Sequence, residues 1–254
     1  MIDIKLLDKK ADFQGYSFIE GFPGIGLVGP MAINYMIDKL DMDYCGYLDS
    51  DKFPPLIAIH DSIPMPPIRI YCSKKYKLVT IFAEFQIPMD LIYELSAKLN
   101  EFIKENKISR IFSVNGMPYK DDSQDATALK DPNVAFGMVS KKNLISELKK
   151  YNISPVNEGV ATGISAMMMT KALNDNIDDI TLLIPVNPNL IDPKYAESAI
   201  KYINQLVGLD INTDELEKES KEVEAKIKDL LKKNKDTHQT YKNSYNDSGL
   251  SMYA

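Results

Sequence analysis

Residues 16–40, YSFIEGFPGIGLVGPMAINYMIDKL, are the stretch on which the fold turns. Tyr16 to Glu20 has the short apolar pattern of a strand, Gly21, Gly24, Gly26 and Gly29 crowd the segment after it, and Ile33, Met36, Ile37 and Leu40 recur at helical spacing. Strand, tight loop and helix in that order open an α/β unit. Gly24-Ile-Gly26-Leu-Val-Gly29 also fits G-x-G-x-x-G, with Asp49 twenty residues past the last glycine, which is the pattern of a dinucleotide-binding turn. Two features oppose that reading. Pro23 and Pro30 bracket the loop, and the chain beyond the helix is a cluster of β-runs where a dinucleotide fold would supply further βα units. The glycines are better explained by chain geometry. They allow positive φ and close backbone approach where strand becomes helix, and Pro30 falls in a first helical turn, which tolerates a missing N–H. A nucleotide- or nucleoside-binding enzyme using the Gly24 to Gly29 loop is the alternative.

Outward from this unit, Leu56 to His60, Ile68 to Cys72 and Leu78 to Phe85 read as antiparallel or hairpin-linked strands, separated by Pro64, Pro66, Pro67 and then Lys74-Lys75. Pro88 starts a helix through Lys104, with Leu91, Leu95, Leu99, Phe102 and Ile103 on one face, and the apolar strand Arg110 to Val114 comes next. Phe136 to Val139 is a strand, Lys141 to Lys149 and Gly163 to Leu173 are helices, Thr181 to Pro185 is a strand and Pro193 to Leu206 a helix. Together these predict one mixed-sheet α/β domain over residues 1–208.

Composition narrows the function classes. The chain has 254 residues and is 44% hydrophobic, enough for a sizeable core. Thirty Lys and Arg against 36 Asp and Glu give a formal charge of -6, which argues against a broad phosphate-binding surface and hence against nucleic acid as a partner. The N-terminus, MIDIKLLDKKADFQG, has no apolar signal region and no run of about 20 apolar residues occurs, so no membrane partner is expected. Cys45 and Cys72 lie in apolar surroundings without metal-ligand spacing, which reads as two buried thiols in a reducing, cytoplasmic compartment.

Other candidate chemistry is thin. Tyr35 and Lys39, and again Tyr71 and Lys75, match a dehydrogenase spacing that 14 tyrosines produce easily, and the first pair lies in the wrong helix for that role. His60 and His238 are the only histidines and neither has a partner identifiable from spacing, so a Cys/His hydrolase using Cys45 or Cys72 has little to stand on. Asp121, Asp122 and Asp125 come after the Asn115-Gly-Met-Pro118 turn in a loop, where solvated turn chemistry is commoner than catalysis. Met167-Met-Met169, with Met31, Met36 and Met89, reads as core filling or a pliable surface. No metal site, no catalytic group and no cofactor is expected.

After Gly208 the character changes. Thr213 to Lys235 holds 14 charged residues and a sparse apolar stripe at Leu216, Val223, Ile227 and Leu230. Acidic residues crowd its first half and lysines its second, which complements a helix dipole. The stripe serves either self-association, interrupted at Ser220, or packing against the body. Residues 209–235 are therefore a C-terminal charged helix, and residues 236–254 a flexible tail. The segment Asp236 to Ser248, DTHQTYKNSYNDS, has no Ile, Leu, Val, Met or Phe with which to offset the entropy of ordering. The tail ends in Met252-Tyr253-Ala254, an apolar side chain, an aromatic with a hydroxyl and a terminal carboxylate, the group types a peptide-capture pocket uses.

Four blocks in order, Gly21-Phe-Pro-Gly24-Ile-Gly26-Leu-Val-Gly29, Asn115-Gly-Met-Pro118, Glu158-Gly-Val-Ala-Thr-Gly163-Ile-Ser-Ala-Met and Asp192-Pro193, resemble the proteasome assembly chaperone 2 family over about residues 15–207. The resemblance implies an α/β sandwich similar to nucleoside phosphorylases without their catalytic groups, and homo-oligomers, tetramers or pentamers, that do not hydrolyse nucleotide. It also implies a partner: archaeal members carry a C-terminal hydrophobic-Tyr-any motif that docks between α-subunits of the 20S proteasome, and Met252, Tyr253 and Ala254 fit those three positions. Met167-Met-Met169 departs from the small residues the family places in that helix. On this reading Tyr253 enters an intersubunit groove, Met252 packs beside it, and the Ala254 carboxylate meets a cation. The leash from Asp236 to Ser251 would reach about 20 to 24 Å.

Overall fold

The computed structural model describes residues 1–118 and 134–216. Strands β1 (Asp3–Leu6) and β2 (Ser17–Gly21) come first, then a 3-10 turn at Ile25–Leu27, helix α1 (Val28–Lys39) and strands β3 (Asp43–Asp49), β4 (Ala58–His60), β5 (Ile63–Met65), β6 (Ile68–Ser73) and β7 (Leu78–Ala83). A 3-10 turn at Met89–Leu91 leads into α2 (Ile92–Glu105), and after it come β8 (Arg110–Pro118), β9 (Ala135–Val139), α3 (Ile145–Lys150), β10 (Ile153–Pro155), α4 (Ile164–Asp175), β11 (Asp178–Val186) and α5 (Pro193–Val207). Nine strands form one sheet in the order β1-β3-β6-β7-β2-β8-β11-β9-β10, and β4 and β5 pair apart from it. Strands β7, β2, β8 and β11 at its centre are mutually parallel, while β1, β3 and β6 are antiparallel to their neighbours, so the sheet is mixed.

Two apolar layers hold helices on its two faces. Helices α1, α3 and α5 pack with Ile19, Phe82, Phe112, Ile180 and Ile184. On the other face α2 and α4 pack with Phe18, Ile68, Val79, Ile81 and Ile111. The helices arise from their sequences. In α2 the buried set Leu95, Leu99, Phe102 and Ile103 repeats at three and four residues, and each such side chain contributes roughly 1.5–3 kcal/mol when fully buried. At the start of α5, Asp192 Oδ1 accepts from Lys194 N at 2.9 Å and Pro193 takes the first turn; Gly208, at φ +78, ends the helix. Lys104 Nζ lies 2.7 Å from Asp175 Oδ1, joining the ends of α2 and α4.

The structure corrects several expectations. Cys45 and Cys72 are not two separate thiols but a disulfide between β3 and β6. No strand was expected at Asp43–Asp49. That strand pairs antiparallel with β6, with Asp43 opposite Cys72 and a register break between Tyr44 and Gly46, and the Cα atoms of Cys45 and Cys72 are 6.0 Å apart. Inference from unpaired thiols to a reducing compartment therefore fails. Asn115-Gly-Met-Pro118 is not a turn but the second half of β8, because pairing with β11 runs on to Val186 opposite Pro118. Of the run Leu56 to His60 only Ala58–His60 is a strand, and it pairs with β5, not with the main sheet.

Candidate functional site

The turn after β2 is built by backbone contact. A Cβ on Gly21 would lie 2.5 Å from Ile33 Cγ1 and 2.7 Å from the Gly29 carbonyl oxygen, and one on Gly29 would lie 2.6 Å from the Val114 carbonyl oxygen. Helix α1 thus starts in contact with the main chain of β2 and β8. Gly26 has φ +70, which favours glycine. Gly24 is different: its Cβ would meet nothing nearer than Asn115 Oδ1 at 3.5 Å. Asp49 sits on β3, three strands from β2 in the sheet, and pairs with Lys5 Nζ at 2.8 Å. It is therefore far from the position of a ribose-binding carboxylate.

At the carboxyl ends of β2 and β8, beside the middle of β11, the sheet opens into a cleft of about 680 Å³. Phe22, Ile25, Ile87, Met117, Met138 and Leu183 give it apolar walls, and the segment from Val156 to Ala166, including the start of α4, closes one side. Its floor is polar. Asn115 Nδ2 donates to Ser165 Oγ at 2.7 Å, and Ser165 Oγ in turn donates to Glu20 Oε1. Glu20 also accepts from Phe22 N at 3.2 Å. Burial pushes the Glu20 carboxyl up, and the Ser165 bond works against that shift.

Glu20 begins a row of polar side chains across the sheet. Ser113 is its partner in register on β8, Thr181 is the partner of Ser113 on β11, and Asp179 lies two residues before Thr181 on the same side of that strand. All four are fully buried. The Ser113 hydroxyl lies beside Glu20 and, like Ser165, works against the rise of its carboxyl, while Thr181 Oγ1 and both Asp179 carboxylate oxygens have no hydrogen-bond partner among the described residues. Burial, and next the neighbouring Glu20, push the Asp179 carboxyl well above the usual aspartate range.

A second cluster ties the β4–β5 hairpin to the main sheet. His60 Nε2 lies 2.6 Å from Glu84 Oε1, to which Arg69 Nη2 also donates. Arg69 further donates from Nε to Tyr71 Oη at 3.1 Å and from Nη1 to the Pro66 carbonyl at 3.2 Å, with its guanidinium 5.0 Å from the Phe82 ring centre. Burial works against the Glu84 carboxylate, but the His60 bond and Arg69 outweigh it and hold its pKa below the ordinary value.

Of the residues singled out from sequence, the structure brings Gly21, Gly26 and Gly29 together at the strand-to-helix turn and sets Gly24 on the rim of the cleft. Leu216 is buried against the layer that holds α1 and α5, and Tyr35 Oη donates to the Asn212 carbonyl at 2.8 Å in the segment leading to it. Val223, Ile227, Leu230, Met252, Tyr253 and Ala254 lie outside the described residues, as do Asp121, Asp122 and Asp125. Glu20, Ser113, Ser165, Asp179 and Thr181 went unnoticed in the sequence. Glu20 alone carried a signal, as a carboxylate at the apolar end of a strand. Among the described residues no group of three or more His, Cys, Asp or Glu is placed to hold a metal ion, and no helix is long and apolar enough to cross a membrane.

The sequence model described as the PAC2 family matches residues 18–231. Uncharacterized protein MJ0106 of Methanocaldococcus jannaschii is 32% identical over 236 residues, covering 91% of this chain and 92% of that protein. Among solved structures, Pyrococcus furiosus PbaA, described as an archaeal homolog of proteasome-assembly chaperone, superposes with a TM-score of 0.77 at 24% identity over 94% of this chain and 100% of its own. Pyrococcus furiosus PbaB, described as an archaeal proteasome activator, gives a TM-score of 0.72 at 20% identity over 90% of this chain and 98% of its own. These two likenesses are likenesses of fold.

Proposed function

The chain belongs to the PAC2 family, and from that premise we propose that it is a proteasome assembly chaperone or activator-like protein that works without catalysis. In this reading Met252, Tyr253 and Ala254 dock into intersubunit pockets of the 20S proteasome α-ring. The observation that carries it is the family match over most of the chain. The fold shared with a proteasome-assembly chaperone homolog and a proteasome activator supports it. So does the tail sequence, since Tyr253 supplies a large rigid surface with a polar tip next to the apolar Met252.

The site geometry speaks against the nucleotide-binding alternative. Gly21 and Gly29 are taken up by main chain, and the described residues lining the cleft include no Lys, Arg or His to meet a phosphate. The proposed organisation is a body over residues 1–208, a charged helix over 209–235 and a tethered tail over 236–254. One short anchor is weak, because docking costs several kcal/mol of rigid-body and leash freedom. Several tails on one homo-oligomer, a tetramer or pentamer, raise the effective concentration and make the capture firm. The proposed setting is the cytoplasm.

Pulldown of 20S particles from the native cytosol, with the full chain and with a chain lacking residues 252–254, tests the reading. The full chain should retrieve α-subunits and the shortened chain should lose most of them. Equal recovery by both would remove the tail from the mechanism.

A further inference from the structure

We propose that the cleft at the carboxyl ends of β2 and β8, beside the middle of β11, binds a small organic ligand that carries a primary ammonium group on an apolar or aromatic body. Thr181 carries the argument. It is fully buried, it lines the cleft, and its Oγ1 has no hydrogen-bond partner among the described residues. A buried hydroxyl left unpaired costs about 1–3 kcal/mol, so a ligand atom that pairs with it recovers that cost. Both oxygens of Asp179, two residues earlier on β11, have no partner among the described residues either.

The chemistry of the missing partner is set by the groups around it. Asn115 gives one amide hydrogen to Ser165, and its Oδ1, turned toward Gly24, can accept. Ser165 gives its proton to Glu20. Thr181 Oγ1 and Asn115 Oδ1 can both accept at the floor, carboxyl groups lie beneath them, and no Lys, Arg or His is among the described lining residues. A donor-rich cation fits such a floor. At the start of α4, whose dipole favours an anion, the Ser165 hydroxyl already holds the Glu20 carboxyl group. Above the floor, Met117 and Met138 give polarizable, adaptable wall surface and Phe22 an aromatic face, which suit a compact apolar body. At about 680 Å³ the cleft is within the range of small-molecule sites.

Isothermal titration of the full chain with 2-phenylethylamine, its neutral match 2-phenylethanol and the anion 3-phenylpropionate tests this, with calcium, magnesium and sodium chlorides titrated alone. The amine should bind saturably, the alcohol at least tenfold more weakly, and the anion and the salts without measurable heat. Thr181→Val keeps the side-chain shape and removes a hydroxyl that has no partner, so the variant should melt at or above the parent temperature while binding the amine at least tenfold more weakly. The proposal is overturned by no binding of the amine, by alcohol binding as tight as amine binding, by saturable binding of a metal salt alone, or by a Thr181→Val variant that binds the amine as the parent does.

Discussion

Replacing Gly29 by alanine puts a methyl group between two stretches of main chain. Its Cβ would stand 2.6 Å from the Val114 carbonyl oxygen and 2.9 Å from Gly21 Cα, where ordinary contact begins at 3.4 Å. Neither neighbour is a side chain that rotates away, so the start of α1 must retreat from β2 and β8 by roughly 0.8 Å. Overpacking of this kind costs about 1–3 kcal/mol, and backbone on both sides places Gly29 at the upper end. Alanine returns about 1 kcal/mol because Gly29 is helical and glycine is the poorer helix former. The net loss is about 2 kcal/mol, or a fall in melting temperature of about 4–8 °C for a domain of this size. Gly24→Ala is the control, since φ there is -144 and its Cβ has 3.5 Å of room; it should melt within about 2 °C of the parent. Thermal unfolding by circular dichroism reads both. A Gly29→Ala protein that melts with the parent, or a Gly24→Ala protein that falls as far, would refute the claim that this turn is shaped by backbone contact.

Asp179→Asn tests the buried acid through pH. Burial raises the Asp179 pKa in the folded chain, so the native state holds its proton more tightly and loses stability as pH climbs from the ordinary aspartate value toward the folded one. The asparagine variant should melt above the parent at pH 7, with the gap closing as pH falls toward about 4, and a gap that grows in acid would contradict the assignment. Arg69→Met leaves Glu84 buried with His60 alone and should cost about 3–5 kcal/mol in denaturant unfolding; a loss under 1 kcal/mol would mean the cluster is not coupled. Leu216→Ala, at a site 2% exposed, should cost about 2–5 kcal/mol, whereas a surface leucine would cost almost nothing. Val223→Asp with Ile227→Asp should lower the subunit number or the melting temperature, because either role of the stripe hides both residues; no change in ultracentrifugation or melting would leave the stripe exposed.

What the sequence displayed was what repeats locally. Helices α1, α2 and α5 are visible in their three- and four-residue spacing, and the turn from Gly21 to Gly29 in its glycines. Strand β3 was hidden because Asp43-Tyr-Cys-Gly-Tyr-Leu-Asp carries a bulge and no β-branched residue, and with it went the Cys45–Cys72 pairing. The second half of β8 looked like a turn because Asn115-Gly116 has turn propensity, and only pairing with β11 extends it. Glu20, Ser113, Thr181 and Asp179 come from three strands far apart in the chain. Their meeting depends on register across the sheet, which no local pattern announces.

In the proposed function the tail, not the folded body, captures the proteasome. Equilibrium binding of purified 20S particles to the parent and to Tyr253→Ala at physiological salt tests it most directly. Removing the ring takes away contact worth a few kcal/mol at each tail, so affinity should fall at least tenfold per tail and further through several, with an unchanged melting temperature. Equal affinity of the two proteins would contradict the account.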